Sequence, residues 1–376
     1  MIIGVDVTML VYAGSGVANY TFNLVKALLE IDKKNEYRLF YSSFRRPKNF
    51  YYLDVLEKLG GKVYAFRFPP SLLQIWWSKF SIIPVEWFIG KVDVYFSSDF
   101  LRPPLLKGTK GVTTVHDLTW KIFPQYHELR IIKAHAIKLK KTIEHRDIVL
   151  TDSLSTKRDI SKYFPEINKE KIHVVYPGIG KEFRPIGDKE EIRVVLKKYD
   201  IDPGSKFLLY VGAIEPRKNL VLSINVFNEL IKDKDFSDFK FVIAGRAGWK
   251  NENVFGSIKK LGLEKKVKFT GFVEDEDLPY LYNAARLTVY LSAYEGFGLP
   301  PLESLASGTK VIVGDNSSLK EIIDKEFLVD ISDQGKILEK MKEIFRSQTK
   351  IDSKEVQDKF NWKQAAKKFL EIISTI

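Results

Sequence analysis

Short apolar runs alternate with amphipathic helical segments from one end of the chain to the other, and this alternation leaves few folds open. Most of the runs are near-continuous in Val, Ile, Leu and Phe, as expected for strands covered on both faces. Strands and helices that alternate in this way build doubly wound α/β domains around parallel sheets. The predicted strands span residues 2–7, 37–41, 94–98, 111–115, 147–151 and 172–176 in the first half and 206–211, 240–244, 267–270, 287–291 and 310–313 in the second.

The chain breaks into two domains near its middle. Its 376 residues suit two domains rather than one. Tyr176-Pro177-Gly178 leads into a polar, Pro-containing segment, and a new series of strands begins at 206, so we predict a linker at about 180–188. The amphipathic segment 362–373 predicts a terminal helix. Its apolar face fits core packing better than a helix lying on a membrane surface.

Composition excludes several classes of protein. No run of 18 uncharged apolar residues is present, and the chain opens on a strand-like segment, so we expect neither a transmembrane nor a secreted protein. The absence of cysteine excludes disulfides, thiolate nucleophiles and cysteine-based metal sites. The five histidines form neither an HExxH motif nor a close pair, so no metal site is expected. A cytoplasmic location is the default prediction.

The positive charge belongs to the first half of the chain. Residues 1–180 hold 27 basic and 17 acidic residues, whereas 181–376 hold 33 and 31. The first half also contains an aromatic-rich stretch, 50–87, interspersed with lysine and arginine. This combination suits an anionic membrane surface, a phosphorylated acceptor or nucleic acid. The alternative is a solvated surface over core aromatics.

Gly14 and Gly16 precede a predicted helix that begins near residue 17. The start of a helix favours an anion such as phosphate. The dinucleotide-binding fingerprint fails here, because Asn19 occupies its third glycine position and the next strand ends in serines. On spacing alone, the two glycines indicate an ordinary flexible turn.

A richer turn spans residues 295–303 and follows the predicted strand 287–291. Pro300 and Pro301 suit the first turn of a short helix, near 300–307, and Gly308 suits its end. The amides of 296–299 then open the helix, where they predict a phosphate site. We expect Glu303, placed in the first turn, to bind two ribose hydroxyls or simply to complement the helix dipole.

The acidic tripeptide 275–277 has the DxD spacing of a metal site. It precedes an apolar helical segment, so we interpret Asp275 as a helix N-cap with acids in the first turn and reject a metal there.

The segment 292–309, with its glycines and with Glu295 and Glu303 separated by seven residues, resembles the signature of glycosyltransferase family 4. The similarity extends to most of the chain and is weakest between residues 40 and 95. Further similar segments are 14–16, 115–118, 123–127, 211–219, 242–245 and 269–273.

This resemblance implies the GT-B fold, in which two Rossmann-like domains face a cleft, and retaining, metal-independent sugar transfer from a nucleotide sugar. The terminal helix of that fold crosses back onto the first domain. We therefore assign residues 1–182 and 360–376 to an acceptor-binding domain and 183–359 to a nucleotide-sugar-binding domain. The chain departs from many relatives at Ala213, where they have arginine.

The resemblance also assigns roles. Glu295 should contact sugar hydroxyls near the anomeric carbon, with covalent nucleophilic catalysis as the alternative. His116 should contact the donor sugar or the acceptor, and Asp117 should orient His116 or bind sugar. Arg217 and Lys218, near the end of a strand, can neutralise a departing nucleoside diphosphate. The full donor-binding set is Gly14, Gly16, Arg217, Lys218, Gly245, Val273, Gly296, Phe297, Gly298, Leu299 and Glu303.

The expected activity is mannosyl transfer from GDP-mannose to a glycan or a lipid-linked acceptor in polysaccharide biosynthesis. This donor is implied by the resemblance to bacterial mannosyltransferases of surface-polysaccharide assembly. The alternatives are transfer of glucose or N-acetylhexosamine from a UDP-sugar, and a non-catalytic protein that binds nucleotide sugars. We expect no cofactor and no nucleic-acid partner. The basic first half predicts peripheral contact with the inner face of the plasma membrane.

Overall fold

The computed structural model describes residues 1–12, 14–44, 50–98, 101–248 and 251–375, without the side chains of Pro70, Ser71 and Ser78. The chain divides into two units, here called unit 1 (Met1–Gly178 with Asn361–Ile376) and unit 2 (Ile179–Phe360).

Unit 1 is built on a parallel sheet that has seven strands within the described residues, in the order β3-β2-β1-β4-β5-β6-β7. The central strands are buried along almost their whole length, which explains their continuous apolar sequence. The strands are β1 Ile2–Asp6, β2 Glu36–Ser42, β3 Lys62–Phe66, β4 Val94–Ser97, β5 Lys110–Val115, β6 Ile148–Thr151 and β7 Ile172–Val174.

Helices follow most of these strands and cover the sheet. Ser15 caps the first helix by accepting a hydrogen bond from the Ala18 amide at 3.2 Å. The helices are α1 Gly16–Ile31, α2 Tyr51–Lys58, α3 Pro70–Leu73, α4 Glu86–Ile89, α5 Thr119–Ile122, α6 Leu129–Glu144 and α7 Leu154–Tyr163, with a π-helix at Gln74–Phe80.

Unit 2 repeats this plan with a parallel sheet of six described strands, in the order β10-β9-β8-β11-β12-β13. The strands are β8 Phe207–Val211, β9 Lys240–Ala244, β10 Val267–Gly271, β11 Leu287–Tyr290, β12 Val311–Gly314 and β13 Leu328–Val329. The helices are α8 Lys189–Lys198, α9 Leu220–Leu230, α10 Glu252–Leu261, α11 Leu278–Ala284, α12 Leu299–Ala306, α13 Leu319–Ile322, α14 Gln334–Arg346 and α15 Ser353–Lys359.

The last helix, α16 (Trp362–Ile373), returns to unit 1 and packs against α1. Its apolar face belongs to the core that β1 and α1 form, and the Phe369 ring lies 5.0 Å from that of Phe96. Asn361 caps the helix by accepting from the Gln364 amide at 2.9 Å. Burying a side chain of this size stabilises the fold by about 2 kcal/mol, so we infer that α16 is integral to unit 1.

The units divide at 178/179 and at 360/361, whereas the predicted boundaries were 182/183 and 359/360. The Ile179 amide donates to the Phe360 carbonyl at 2.9 Å, which places both crossings side by side within unit 2. A side chain at Gly178 would meet the backbone at Trp362, so the crossing at 178 is tightly packed as well.

All eleven predicted strands are present, but β3 and β13 were not predicted. Strand β3 is an edge strand whose Lys-Val-Tyr-Ala-Phe sequence is only partly buried, and β13 has two residues. Strand β13 is too short to give an apolar run, whereas the apolar run 63–66 of β3 was not recognised as a strand.

Candidate active site

Ligands of doubly wound folds bind beyond the carboxyl ends of the strands, where the strand order reverses. In unit 2 this point lies between β8 and β11, which are neighbours in the sheet. The loop after β8 carries Arg217 and Lys218 on a short 3₁₀ helix, Pro216–Lys218, and the loop after β11 carries Glu295. The Ala293 amide donates to the Arg217 carbonyl at 2.9 Å, so the two loops are joined directly.

These loops form a compact, buried cluster of four charged side chains. Each oxygen of the Glu295 carboxylate accepts a hydrogen bond at 2.7 Å, one from Lys218 and the other from Arg217. Arg217 also donates to Glu215 at 2.6 Å, and Lys218 donates to the Tyr290 hydroxyl at 2.7 Å. The positive charges of the two cations equal the negative charges of the two carboxylates, so the cluster has no net charge. The cluster can therefore exist without a ligand while keeping two cations at the strand ends.

The electrostatics of this cluster fix the charge of Glu295. Burial opposes its ionisation, but the charges of Arg217 and Lys218 outweigh burial and lower the pKa of Glu295 to about 2. Burial, followed by the charge of Arg217, lowers the pKa of Lys218, although Glu295 opposes that shift. Glu295 is thus a carboxylate at any physiological pH.

The loop after β12 holds the Glu295 loop in place. The Glu295 amide donates to the Ser317 hydroxyl at 2.9 Å, and the Ser318 hydroxyl contacts the carbonyls of Glu295 and Phe297 at 2.9 and 2.6 Å. Ser318 is fully buried. These contacts fix the backbone that presents Glu295.

Helix α12 begins at Leu299, after Gly298 with φ of 114°. A side chain at Gly298 would also meet Leu319, so this position requires glycine. Because Pro300 and Pro301 have no N–H group, Leu299 is the first-turn residue that brings an amide donor. Gly308, with φ of 84°, follows the helix end as predicted.

Glu303 lies in the second turn of α12, and its predicted place in the first turn was wrong because the helix starts at Leu299. It is partly buried and accepts a hydrogen bond from the Tyr282 hydroxyl at 2.9 Å. Burial raises the pKa of Glu303 to about 7, with Asp275 and Glu182 adding to the rise and Tyr282 opposing it. Near neutral pH, Glu303 is therefore balanced between its two protonation states.

Two glycines lie at adjacent strand ends in unit 2. Gly245 has φ of 153°, and a side chain there would come within 1.9 Å of the Gly212 carbonyl. Beside them, the Arg246 guanidinium stacks 4.1 Å from the centre of the Phe272 ring. Arg246 is exposed. This edge of the sheet therefore has Ala213 after β8, where many relatives have arginine, and an arginine after the neighbouring strand β9.

Val273 and Phe297, two predicted donor-binding residues, are buried. The Phe297 ring packs edge-on against Phe360 at 5.8 Å. Gly296 is also buried, next to Glu295. The side chains of Val273 and Phe297 therefore pack inside unit 2 and support its loops.

The acidic segment 275–277 precedes a helix, as predicted, but Asp275 is not its N-cap and no side chain caps this helix. Helix α11 begins after Asp277, and its first turn holds no acid. The Asp277 carboxylate instead contacts Lys198 and Tyr199, each at 2.6 Å. Across the described ranges, no group of three His, Cys, Asp or Glu residues is arranged to hold a metal ion.

The remaining predicted residues belong to unit 1, at its own strand-order reversal between β1 and β4 and after the adjacent β5. Gly14 has φ of 75°, and Gly16 opens α1 with free space around its α-carbon. His116 follows β5. Its Nδ1 lies 2.6 Å from Asp152 and its Nε2 lies 2.9 Å from the Ser98 carbonyl.

Asp117 does not orient His116, contrary to one of its two predicted roles. Its carboxylate turns to Thr119 and accepts from that residue's amide at 2.9 Å and hydroxyl at 2.6 Å. Adjacent residues in a loop need not face each other, and Asp117 does not face His116. The residue that contacts His116 is Asp152, which follows β6.

Four residues of these sites were missed by sequence reasoning: Glu215, Tyr290, Ser318 and Asp152. Glu215 lies inside the segment 211–219 that was recognised, next to Arg217. The other three carry no local signal, because they come from strands and loops that meet only in the folded sheet.

Known proteins share this architecture. A family model described as Glycosyltransferase Family 4 matches residues 14–183, and one described as Glycosyl transferases group 1 matches residues 189–369. The chain is 28% identical over 324 residues to O-antigen chain mannosyltransferase B of Escherichia coli, covering 85% of this chain and 83% of that protein.

Solved structures show the fold. Sucrose-phosphate synthase from Thermosynechococcus elongatus superimposes with a TM-score of 0.77 at 18% identity, covering 100% of this chain and 98% of that one. Anabaena HepE in complex with UDP-glucose gives a TM-score of 0.73 at 14% identity, covering 100% and 99%. Together with the two family models, which cover almost all of the sequence, these matches show that the chain belongs to the family 4 and group 1 glycosyltransferases of GT-B fold.

Proposed function

We propose that this glycosyltransferase moves mannose from GDP-mannose to a glycan or lipid-linked acceptor, with retention of anomeric configuration. The observation that carries the proposal is the buried cluster of Glu295, Arg217 and Lys218 at the strand-order reversal of unit 2. Mannose is favoured by the name of the Escherichia coli relative, which covers most of the chain.

The cluster suits loss of a nucleoside diphosphate. When the bond between the anomeric carbon and the diphosphate breaks, negative charge grows on the leaving oxygen, and Arg217 and Lys218 can stabilise it. The acceptor oxygen bonds to the anomeric carbon on the same face, and its proton passes to the leaving phosphate. The two cations therefore stabilise the transition state more than the bound donor.

Glu295 fits a positioning role better than a nucleophilic one. Both of its oxygens are engaged by cations at 2.7 Å, and its pKa is lowered to about 2. A carboxylate stabilised in this way is a weak nucleophile. In our proposal its remaining lone pairs accept hydrogen bonds from the sugar hydroxyls, and Glu303 accepts from the ribose.

We further propose that transfer needs no metal ion. Arg217 and Lys218 supply the positive charge that a divalent cation provides to diphosphates in other enzymes. No cofactor takes part in the reaction as we propose it.

We also propose that the enzyme is cytoplasmic and makes peripheral contact with the inner face of the plasma membrane. Unit 1 exposes four large apolar side chains within one short stretch, which together with Lys79 suit an anionic bilayer. They are Ile75 (46%), Phe80 (56%), Ile82 (48%) and Trp87 (72%). None of the helices in the described part of the chain has the length and hydropathy of a membrane span.

Vesicle binding tests this contact. We expect the protein to sediment with vesicles that contain anionic lipid and to do so less when Phe80 and Trp87 are changed to serine. Val194→Ser removes an equally exposed apolar side chain from unit 2 and serves as the control. Equal sedimentation of all three proteins would argue against the membrane contact.

UDP-dependent transfer of glucose or N-acetylhexosamine is the second candidate, favoured by the likeness to HepE in complex with UDP-glucose. A panel of GDP- and UDP-sugars with a polysaccharide or lipid-linked acceptor separates the two. Our proposal expects acceptor-dependent release of GDP from GDP-mannose and an α-linked product by NMR. Release of UDP would favour the second candidate, and binding without turnover would indicate a non-catalytic protein.

A further inference from the structure

His116 lies between two oxygen atoms of the protein. The Ser98 carbonyl, 2.9 Å from Nε2, can only accept a hydrogen bond, so Nε2 must carry a proton. The Asp152 carboxyl oxygen is 2.6 Å from Nδ1, and two such atoms come this close only when a proton lies between them. The pair of His116 and Asp152 therefore holds two protons.

Asp152 has little else to stabilise its charge. It is 6% exposed, and its second oxygen, Oδ1, has no hydrogen-bond partner within the described residues. A buried carboxylate needs a cation or a proton nearby. Burial raises the pKa of Asp152 above its ordinary value, and the charge and hydrogen bond of His116 oppose this rise without cancelling it.

The groups around the pair come from several elements. Asp117, on the same loop as His116, raises the pKa of Asp152, and Lys138 of α6 lowers it. The Lys138 ammonium donates to the Thr114 carbonyl at 2.6 Å. Tyr20 of α1 packs edge-on against the imidazole at 4.7 Å, and burial together with the charge of Asp152 raises the pKa of its phenol, so it stays neutral.

The shared proton belongs to the imidazole. The ordinary pKa of histidine, about 6.5, exceeds that of aspartate, about 3.9, and the nearby Lys138 favours the carboxylate. A charged pair at 2.6 Å is also a stronger hydrogen bond than its neutral counterpart. Both arguments give a histidinium next to an aspartate.

We propose that Asp152 is a positioning residue that keeps His116 doubly protonated, so that His116 serves the transfer reaction as a hydrogen-bond donor and not as a base. Its Nε2–H then reaches a substrate oxygen that takes the place of the Ser98 carbonyl. The reaction step rests on the proposed function, whereas the protonation state rests on the geometry of unit 1.

Nitrogen-15 NMR of histidine-labelled wild-type protein tests the protonation state. We expect both nitrogens of His116 to remain protonated at least about one pH unit above the ordinary titration midpoint. His145 and His173 are internal references, because burial and nearby cations lower the pKa of each. A neutral His116 at neutral pH in the wild-type protein would overturn the proposal.

Substitution tests the positioning role. In Asp152→Asn we expect His116 to titrate at or below its ordinary pKa and kcat to fall by at least about tenfold, with the donor KM changed by less than about threefold. Asp54→Asn removes an exposed acid from α2 as the matched control. In the His116→Gln background, Asp152→Asn should cost nothing further, because it acts through His116.

The outcomes separate this inference from the proposed function. Wild-type protein that transfers no sugar from any nucleotide donor would refute the function, while the NMR result would still decide the protonation state. The positioning role alone would be refuted if the wild-type protein is active and Asp152→Asn keeps the wild-type kcat. Additive losses of kcat in the double variant would refute it as well.

Discussion

The Lys218 ammonium lies 2.7 Å from one carboxylate oxygen of Glu295, and both side chains are more than nine-tenths buried. They come from loops after two neighbouring strands, so the contact exists only when β8 and β11 pair. This ion pair joins the group expected to hold the sugar to a group expected to hold the diphosphate.

Replacing Glu295 by glutamine should reduce turnover by at least about tenfold, equivalent to about 1.4 kcal/mol of transition-state stabilisation. The neutral amide cannot pair with both cations or accept from sugar hydroxyls as strongly. Steady-state kinetics with saturating donor measures the effect. Glu339→Gln, which changes an exposed carboxylate on α14, should leave turnover unchanged, and near-normal turnover in Glu295→Gln would exclude the assigned role.

Lys218→Met should lower the free energy of unfolding by about 3 kcal/mol, because it leaves part of the Glu295 charge buried without its partner. Adding Glu295→Gln should recover some of that loss, since the remaining Arg217 still pairs with Glu215. Denaturant unfolding of the two single variants and the double variant measures the coupling. Additive losses would show that the two side chains do not interact energetically.

Glu303 should make donor binding depend on pH. Its pKa is raised to about 7 by burial, so the folded state holds the proton more tightly than the unfolded state. The stability this provides is present below the ordinary pKa of glutamate and is lost as the pH rises through about 7. Donor affinity should move the other way, because only the carboxylate accepts from two ribose hydroxyls.

Calorimetric titration of the donor measures this second effect. We expect affinity to rise by up to about tenfold between about pH 6 and about pH 8. Glu303→Gln should bind more weakly and lose most of this dependence. The same pH profile in both proteins would mean that Glu303 does not contact the nucleotide.

Gly245→Ala should destabilise unit 2 by several kcal/mol, as expected for a side chain forced against backbone. The added methyl group would lie within 1.9 Å of the Gly212 carbonyl, at φ of 153°. Gly256→Ala is the control, because Gly256 lies in α10 with open space around it and should gain up to about 1 kcal/mol. Thermal unfolding of the wild-type protein and both variants measures these effects. Equal melting temperatures for Gly245→Ala and Gly256→Ala would contradict the close approach of the two strand ends.

Removal of divalent metal should leave the reaction intact. If Arg217 and Lys218 neutralise the diphosphate, then EDTA should change the initial rate by less than about twofold. The same assay with added Mg²⁺ or Mn²⁺ gives the comparison. Loss of activity in EDTA that is restored by one of these ions would show that a metal takes part.

Much of the fold could be predicted from the sequence because central parallel strands are buried on both faces and read as continuous apolar runs. This held for β8, whose five residues are all buried. It did not hold for β3, which is an edge strand and only partly buried. The start of α12 was also misplaced relative to Glu303, because Gly298 can end the preceding loop at a φ that few other residues adopt.

The candidate site was predictable where its residues share one segment. Arg217 and Lys218 are adjacent, and Glu295 lies in a segment with a recognisable pattern. Partners across the sheet were not predictable, because no spacing along the chain shows that Asp152, rather than Asp117, reaches His116. Burial likewise sets the raised pKa of Glu303, and burial is a property of the folded unit.

A crystal structure of the protein with GDP-mannose would show where the donor binds. We expect the diphosphate within hydrogen-bonding distance of Arg217 and Lys218, with the mannose hydroxyls on Glu295. A donor bound elsewhere, with the Lys218 to Glu295 pair undisturbed and its surroundings closed to the diphosphate, would contradict it.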